Sequence, residues 1–400
     1  MTTRAIFADR AFTPHEAITD AVILVNGSKI TAVGSRHHIT VPDNAQRWET
    51  RGLTVVPGFV DMHIHGAGEH DVMEATPQAL AAITETVARH GTTSIVATTV
   101  TASEEATGHA IKGVESWMRA DASRVDSVAI TSAVRAEILG VHLEGPFISP
   151  IRRGVHPLQW ITLPSLELFG RFLAAGDNNT VRILTLAPEL PGAIELIEVA
   201  KIRGLLVSLG HTDATYEQAI LAIESGARHA AHVYNAMRPF GHRDSGVIGA
   251  VLTMPSVTAE LIADGVHVDA AAMRILLAAK GPRGVVLVSD GTAATGMPDG
   301  TYRLGTFEVN VADGVCRSTE GKLAGSTLTL DRAFRNMLAL GVGFTDALAM
   351  LTENPARALG LEGRKGSLVV GADADLVRLD SENNVAGVMT RGTKWTAPGY

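Results

Sequence analysis

The feature that most constrains this fold is a regular alternation of apolar, strand-like segments with helical patterns through the middle of the 400-residue chain. The segments predicted to be strands are 55–63, 93–100, 138–144, 181–187, 205–210, 229–233, 258–263 and 285–289. Helical patterns occupy intervening stretches, for example 77–90, 103–119, 191–203, 213–226 and 269–280. Eight strands joined by crossover helices predict an α/β fold, a parallel (β/α)8 barrel of the TIM type.

A doubly wound open sheet is the structural alternative, because it also alternates strands with helices. Such sheets often carry a glycine-rich phosphate loop after the first strand. Here no Gly-x-Gly-x-x-Gly follows that strand, and Gly-x-x-x-x-Gly-Lys-Ser/Thr is absent from the chain. The barrel is therefore the favoured architecture.

Both ends of the chain are rich in short β-type runs and turns. Asn26-Gly27 separates two β-type runs, a pattern typical of a hairpin. Because chain termini tend to lie close together, we expect one small β-sandwich built from both ends. The β-type runs lie at 21–25, 29–34, 366–377 and 385–395. The predicted domains are a sandwich of residues 1–56 plus 363–400 and a catalytic barrel of residues 57–362.

Side chains that can bind metal or move protons close five of the predicted strands. They are His63 and His65 after the first strand, Glu144 after the third, His211 after the fifth, His232 at the sixth and Asp290 after the eighth. Each of them alone could be a hydrogen-bonded loop or turn residue. In a parallel barrel, however, the carboxyl ends of the strands meet at one rim, so we expect the six side chains to converge.

Imidazole nitrogens and carboxylate oxygens are ligands that suit Zn²⁺ and related divalent ions. Glu144, His211 and His232 would hold one ion. His63 and His65 could hold a second, with Glu144 or Asp290 shared. Asp290 is the residue best suited to accept a proton from the attacking water and return it to a departing nitrogen.

The overall composition disfavours several other classes of partner. The formal charge of −8 and an aromatic content of 4% give no basic or base-stacking surface for nucleic acid or an anionic membrane. The single Cys316 cannot form an intrachain disulfide, and residues 1–16 lack the apolar core of a signal peptide. The longest apolar run, 247–266, is interrupted by Pro255 and Glu260. We expect a soluble, cytoplasmic protein.

Several motifs resemble those of a known family. Pro-Gly-x-x-Asp-x-His-x-His at the first strand, two later strand-end histidines and the strand-eight aspartate are similar to the amidohydrolase superfamily. Longer motifs resemble its family of N-acetylglucosamine-6-phosphate deacetylases. They are His-Leu-Glu-Gly-Pro-Phe at 142–147, Gly-His-Thr-Asp-Ala-Thr at 210–215, His-Val-Tyr-Asn-Ala-Met at 232–237 and Leu-Ala-Gly-Ser at 323–326.

The resemblance implies Glu144, His211 and His232 as main metal ligands and Asp290 as the catalytic acid and base. It implies removal of acetate from N-acetyl-D-glucosamine 6-phosphate, with zinc as the metal and iron, cobalt, manganese or cadmium as alternatives. It also implies that His156 contacts the acetyl carbonyl or the metal-bound species, and that the protein is a homodimer with phosphate-site residues crossing the interface. The other substrate-binding positions that it implies are Asn235, Ala236, Arg243, His267 and Ala324.

Some alternatives stay open at this point. Family members with Gln and Asn in place of His63 and His65 bind one ion, so this chain allows one or two. Relatives that act on cyclic amides carry a carboxylated lysine after the fourth strand, whereas residues 186–189 read Leu-Ala-Pro-Glu. A cyclic-amide hydrolase, a deacetylase for the galactosamine epimer and a non-catalytic scaffold are the competing functions. His142 is expected to be structural, and Arg238 with Arg243 could bind phosphate from the loop after strand six.

Overall fold

The computed structural model describes residues 3–126, 134–177, 180–393 and 395. The strands, in chain order, are β1 (Thr3–Phe12), β2 (Ala17–Asn26), β3 (Lys29–Ser35), β4 (Gln46–Pro57), β5 (Phe59–Ile64), β6 (Gly66–Ala67), β7 (His70–Asp71), β8 (Thr92–Thr99), β9 (Glu137–Glu144), β10 (Val181–Leu186), β11 (Leu206–Leu209), β12 (His229–Ala230), β13 (Thr258–Leu261), β14 (Val285–Leu287), β15 (Gly300–Leu304), β16 (Phe307–Ala312), β17 (Val315–Ser318), β18 (Leu376–Leu379) and β19 (Val385–Met389). The α-helices are α1 (Pro77–Arg89), α2 (Glu104–Asp126), α3 (Leu166–Ala174), α4 (Ala193–Ile202), α5 (Tyr216–Ser225), α6 (Gly246–Thr253), α7 (Ala270–Lys280), α8 (Leu330–Ala339), α9 (Phe344–Ala349) and α10 (Glu353–Ala358).

Eight parallel strands form the predicted barrel. Their hydrogen-bonded order is β5-β8-β9-β10-β11-β12-β13-β14, and every neighbouring pair is parallel. A parallel bridge between Ile64 and Gly291 links the first strand to the residues that follow the eighth. The prediction of a (β/α)8 barrel is confirmed, and its carboxyl-terminal rim is the place to look for a site.

The first barrel strand does not have its predicted bounds. The sequence predicts one strand over 55–63, but Pro57 is the last residue of β4, and the barrel strand β5 starts at Phe59. Gly58 lies between them, where a Cβ atom would come within 2.1 Å of the Thr93 hydroxyl. The chain needs glycine there because it passes so close to β8 as it leaves the terminal sheet.

Both termini contribute to one six-stranded sheet, in the order β19-β18-β4-β1-β2-β3. The hairpin predicted at Asn26-Gly27 joins β2 to β3 in antiparallel register. Side chains from β4, β18 and β19, including Val56, Val377 and Val388, belong to the same buried core as the barrel. The assembly of a β-unit from both chain ends is confirmed, while the domain boundaries given above stay predictions.

A small antiparallel sheet, β15 to β17, was not predicted. It follows the eighth barrel strand, and its buried Leu304, Val309 and Val311 pack with Val100 and Ala324 near the barrel rim. Helices α1, α3, α5 and α7 begin with side-chain caps, from Thr76, Ser165, Thr215 and Asp269 respectively. Within the described residues, no helix has both the length and the apolar character needed to cross a membrane.

Candidate metal centre

One carboxylate, that of Glu144, lies among five imidazole rings. Glu144 is the last residue of β9 and is 2% exposed. Its Oε1 lies 3.2, 3.1 and 3.0 Å from the Nε2 atoms of His63, His211 and His232, and its Oε2 lies 3.2 and 3.4 Å from those of His65 and His156. Side chains far apart in sequence therefore meet at the carboxyl-terminal rim of the barrel, although their roles as ligands stay predictions.

Asp290 completes this group of side chains from the eighth strand. Its Oδ1 lies 3.3 Å from His65 Nε2 and 3.6 Å from His63 Nε2. Its backbone N–H donates to the carbonyl of His63 at 2.9 Å, and its own carbonyl accepts from the N–H of Ser326 at 2.7 Å. The hydrogen bonds that close the barrel thus also hold this carboxylate beside the histidines.

Three of these residues have left-handed backbone conformations. The φ angles are 48° at His211, 28° at His232 and 48° at Asp290, and each residue follows a barrel strand. A non-glycine residue in this region costs of order 1–3 kcal/mol, so it persists only where the surrounding structure holds it. The sharp turn ends each strand while its side chain still reaches the Glu144 group.

Hydrogen bonds on the far side of the rings decide where the protons are. His63 Nδ1 lies 2.8 Å from Glu260 Oε2, and His211 Nδ1 lies 2.9 Å from the carbonyl oxygen of Arg152. Carbonyl and carboxylate oxygens only accept, so both rings carry a proton on Nδ1, and Nε2, which faces Glu144, is the nitrogen left to bind a cation.

With Nδ1 already protonated, a ring nitrogen that faces a carboxylate oxygen at about 3 Å needs a positive charge between the two atoms, either a proton on Nε2 or a cation that replaces it. His63 Nε2 is also a buried atom without a hydrogen-bond partner among the residues that the structure describes. Outward Nδ1–H donors to oxygen acceptors are the usual arrangement of histidines that ligate metals. The donor set around Glu144 therefore fits a divalent cation.

His156 has the opposite proton arrangement. The backbone N–H of Thr101 donates to its Nδ1 at 3.2 Å, so the proton of the neutral ring is on Nε2, the atom that faces Glu144. Burial, together with nearby His211, lowers the pKa of His156 to about 4, which keeps the ring neutral. His156 is therefore built as a hydrogen-bond donor and not as a metal ligand.

Both carboxylates of the site are held ionised. Burial alone would raise the pKa of Glu144, but His63 and His211 hold it well below its usual range. Burial would likewise raise the pKa of Asp290, but the hydrogen bond from His65 and the charge of His63 lower it. Burial would lower the pKa of His65, yet Asp290 and Glu144 raise it to about 9. The site is a compact set of opposite charges shielded from water.

Three of the predicted substrate-binding residues lie close to this group. The amide nitrogen of Asn235 donates to the carbonyl of His232, and the carbonyl of Ala236 accepts from Thr212 N–H, so both belong to the turn after β12. Ala324 is buried and precedes Gly325. A Cβ atom at Gly325 would come within 2.8 Å of the Asp290 carbonyl oxygen, so this segment lies against Asp290.

The predicted phosphate residues lie in outer loops. His267 is held by Asp264, with 2.7 Å between its Nδ1 and Asp264 Oδ2, and Arg243 is exposed. Arg238, which the sequence offered as a second phosphate ligand, instead pairs with Asp244 at 2.7 Å. Because Arg238 is already neutralised, Arg243 is the better candidate for binding an anion.

His142, predicted to be structural, lies inside the barrel. Its Nε2 is 2.7 Å from the hydroxyl of Thr185, and its Nδ1 is 3.3 Å from the carbonyl of Met62. Burial lowers its pKa to about 3. Its ring packs edge-on against His63, with centroids 4.6 Å apart, and does not face Glu144.

Sequence analysis missed Glu260, a fully buried residue of β13. It was noted only as an interruption of an apolar run. A glutamate inside a buried strand is nevertheless a signal, because a buried carboxylate is retained only where donors or cations satisfy it. What the sequence could not supply is the identity of those donors.

Comparisons with known proteins identify the family of this chain. The amidohydrolase family model matches residues 54–394. The N-acetylglucosamine-6-phosphate deacetylase of Bacillus subtilis (strain 168) is 36% identical over 381 residues, which cover 95% of this chain and 94% of that protein. The N-acetylgalactosamine-6-phosphate deacetylase of Escherichia coli O157:H7 is 38% identical over 337 residues, 84% of this chain and 86% of that protein.

A solved structure is similar over the whole chain. It is a variant of the Mycobacterium smegmatis N-acetyl-D-glucosamine-6-phosphate deacetylase in complex with N-acetyl-D-glucosamine-6-phosphate. The TM-score is 0.88 at 36% identity, with 99% of each chain covered. The family model, the relatives and this fold agree, and the chain belongs to the amidohydrolase family.

Proposed function

We propose that this protein hydrolyses the acetamide of N-acetyl-D-glucosamine 6-phosphate to D-glucosamine 6-phosphate and acetate. The observation that carries the proposal is the Glu144 carboxylate within 3.4 Å of five imidazole nitrogens, with Asp290 beside them. The relatives named above supply the substrate class. A phosphorylated sugar does not cross membranes unaided, so a cytoplasmic location is part of this proposal.

The donor set favours zinc. Glu144, His211 and His232 would hold one ion, and His63 and His65 with Asp290 would hold a second next to it. An ion bound there supplies a Lewis acid and lowers the pKa of bound water to about 7. Nitrogen and carboxylate oxygen donors without thiolates suit this chemistry.

Asp290 moves the proton in this proposal. Its carboxylate is ionised in the free enzyme, as a base must be, and its Oδ1 lies 3.3 Å from His65 Nε2. It accepts a proton as water attacks the acetyl carbon and delivers that proton to the amide nitrogen as the carbon–nitrogen bond breaks. The amino sugar then leaves as a neutral amine.

His156 stabilises the charge that develops on the acetyl oxygen. Thr101 fixes its tautomer, so that Nε2–H points into the site and can donate to that oxygen. A fixed donor in a buried site stabilises the transition state more than a mobile one in water. The neutral ring carries no charge that would compete with a cation at Glu144.

Arg243 and His267 bind the phosphate in this proposal, and they do so across a homodimer interface. Arg243 is exposed, on a loop that also exposes 55% of Phe240. Phenylalanine and arginine are among the residue types enriched in protein–protein interfaces, which supports an interface at this loop.

Co-expression of the Asp290→Asn and Arg243→Ala variants tests the dimer. If Arg243 acts across the interface, a heterodimer of the two has one intact site and turns over with the wild-type KM. If Arg243 acts within its own subunit, neither site is intact, and the remaining activity keeps the raised KM of Arg243→Ala.

The proposed reaction itself is tested by acetate release. Purified protein is assayed with the 6-phosphates of N-acetylglucosamine and N-acetylgalactosamine, and the same sample is analysed for metals. We expect faster release from the gluco epimer, one or two divalent ions per chain, and loss of activity after chelation. Preference for the galacto epimer, the substrate of the Escherichia coli relative, would change the substrate assignment. Absence of stoichiometric metal and of acetate release would refute the function.

A further inference from the structure

Glu260 gathers three donors around one buried carboxylate. Its Oε2 lies 2.8 Å from His63 Nδ1 and accepts the backbone N–H of His232 at 3.0 Å. Its Oε1 lies 2.9 Å from His229 Nε2. The residue is 0% exposed. Burying a carboxylate this completely is costly unless each oxygen is satisfied, and here both are.

The contact with His63 differs in kind from the contact with His232. Glu260 touches the His63 ring itself and thereby fixes both its rotation and the proton on Nδ1. It reaches His232 only through the backbone, and the turn at His232 has a second support, because Val233 N–H donates to the Glu260 carbonyl at 3.0 Å. A change of the Glu260 side chain would leave that second hydrogen bond in place.

We propose that Glu260 is the positioning residue of the second ion site, formed by His63, His65 and Asp290. It holds the His63 ring with Nε2 directed at the Glu144 group, so that this nitrogen offers a lone pair. The inference rests on the proposed function, since it assumes that the centre binds divalent ions. It adds a residue from the seventh barrel strand, which had no assigned role.

Two substitutions of Glu260 separate the effect of its hydrogen bonds from the effect of its side-chain volume. In Glu260→Gln the amide oxygen can occupy the Oε2 position and still accept from His63 and His232, while the amide nitrogen faces His229. In Glu260→Leu the volume is similar but no acceptor is left for His63 Nδ1–H. Loss of such a supporting partner typically weakens metal affinity by about 10- to 100-fold.

Thr185→Val provides a matched control. Thr185 is equally buried in the barrel and contacts the imidazole of His142, not a residue predicted to be a ligand. It tests whether any lost polar contact inside the barrel reduces ion binding.

The experiment is a Co²⁺ titration of chelator-stripped, full-length proteins, followed by visible absorption and by elemental analysis after gel filtration. We expect two equivalents in the wild type and in Thr185→Val. We expect Glu260→Leu to bind the first equivalent as the wild type does and the second about 10- to 100-fold more weakly. Glu260→Gln should lie between them, with an altered absorption spectrum for the second equivalent only.

Wild-type affinity and spectrum for the second equivalent in Glu260→Leu would overturn the inference. A wild type that binds a single Co²⁺ would overturn it as well, while leaving a one-ion enzyme intact. A wild type that binds none would refute the proposed function itself. If Glu260→Leu does not fold by circular dichroism, Glu260→Gln decides alone, and an unchanged second equivalent there would overturn the inference.

Discussion

Asp290→Asn is the substitution that isolates proton transfer from binding. Asparagine has nearly the same shape as aspartate and tolerates the left-handed φ of 48° at this position. The backbone hydrogen bonds of residue 290 to His63 and Ser326 do not involve the side chain and are retained. The fold and the closure of the barrel should therefore survive, while the side chain loses its negative charge and its ability to accept a proton.

The expected loss follows from the role of the carboxylate. General acid and base catalysis contributes about 10²- to 10⁴-fold, which corresponds to about 3–5 kcal/mol of transition-state stabilisation. Asp290 Oδ1 lies 3.3 Å from His65 Nε2, so the substitution also removes one charge from the second ion site. We therefore expect kcat to fall by at least about 10²-fold, with a smaller change in KM.

The assay measures acetate release together with the metal content of each preparation. Asp331→Asn is the control, because Asp331 is also buried but pairs with His90 and Arg335 on another part of the barrel. We expect the control to turn over like the wild type. If Asp290→Asn retained kcat within about tenfold of the wild type at equal metal content, another group would have to move the proton.

Three further predictions address binding and stability. Arg243→Ala should raise KM for the phosphorylated sugar by at least about tenfold without affecting the unphosphorylated sugar, and equal effects in steady-state kinetics would remove Arg243 from the phosphate site. Lys365→Met should lower the free energy of unfolding by about 3–5 kcal/mol in urea titrations, because it leaves buried carboxylates without their partner. The fully buried ammonium pairs with Glu137, Asp373 and Asp375. A loss below about 1 kcal/mol would contradict this prediction. Burial would raise the pKa of Asp331, but His90 holds it at about 2, so its stabilisation is present above its ordinary pKa of 3.8 and is lost as the pH falls toward 2. Asp331→Asn should therefore lower the free energy of unfolding by about 2 kcal/mol at pH 7. The stability of the variant should also fall less steeply than that of the wild type as the pH drops toward 2, and an equally steep fall would refute this role of Asp331.

The barrel could be predicted from the sequence because its strands are buried on both faces and therefore appear as continuous apolar runs. The boundary at Gly58 could not be predicted for the same reason. The residues on both sides of Gly58 are apolar, so the last strand of the terminal sheet and the first strand of the barrel appear as one run. The small sheet β15 to β17 was missed although its signal was present. The burial of β16 alternates along the strand, and Asp313-Gly314 lies between β16 and β17, as in a hairpin.

The site could be predicted only in part, for a different reason. Histidines and carboxylates at strand ends are visible in the sequence, and the barrel topology alone brings them to one rim. Supporting contacts are not visible, since Glu260 and His63 are separated by 197 positions and no local pattern pairs them. The tautomers of His63, His211 and His156 likewise depend on a distant carboxylate, a loop carbonyl and a strand-end amide.

The backbone at the rim indicates why this architecture suits the chemistry. The backbone is left-handed at His211, His232 and Asp290. Glycine or asparagine would adopt this conformation at a lower cost in free energy, but the chain has histidine and aspartate at these positions. Each strained residue costs an appreciable part of a typical folding free energy of 5–15 kcal/mol, so the surrounding core must offset the cost. It does so at Asp290, because the hydrogen bonds that close the first strand onto the eighth include the Asp290 backbone itself. A cation bound among these side chains would stabilise the same strained turns, and metal affinity and rim stability are therefore coupled.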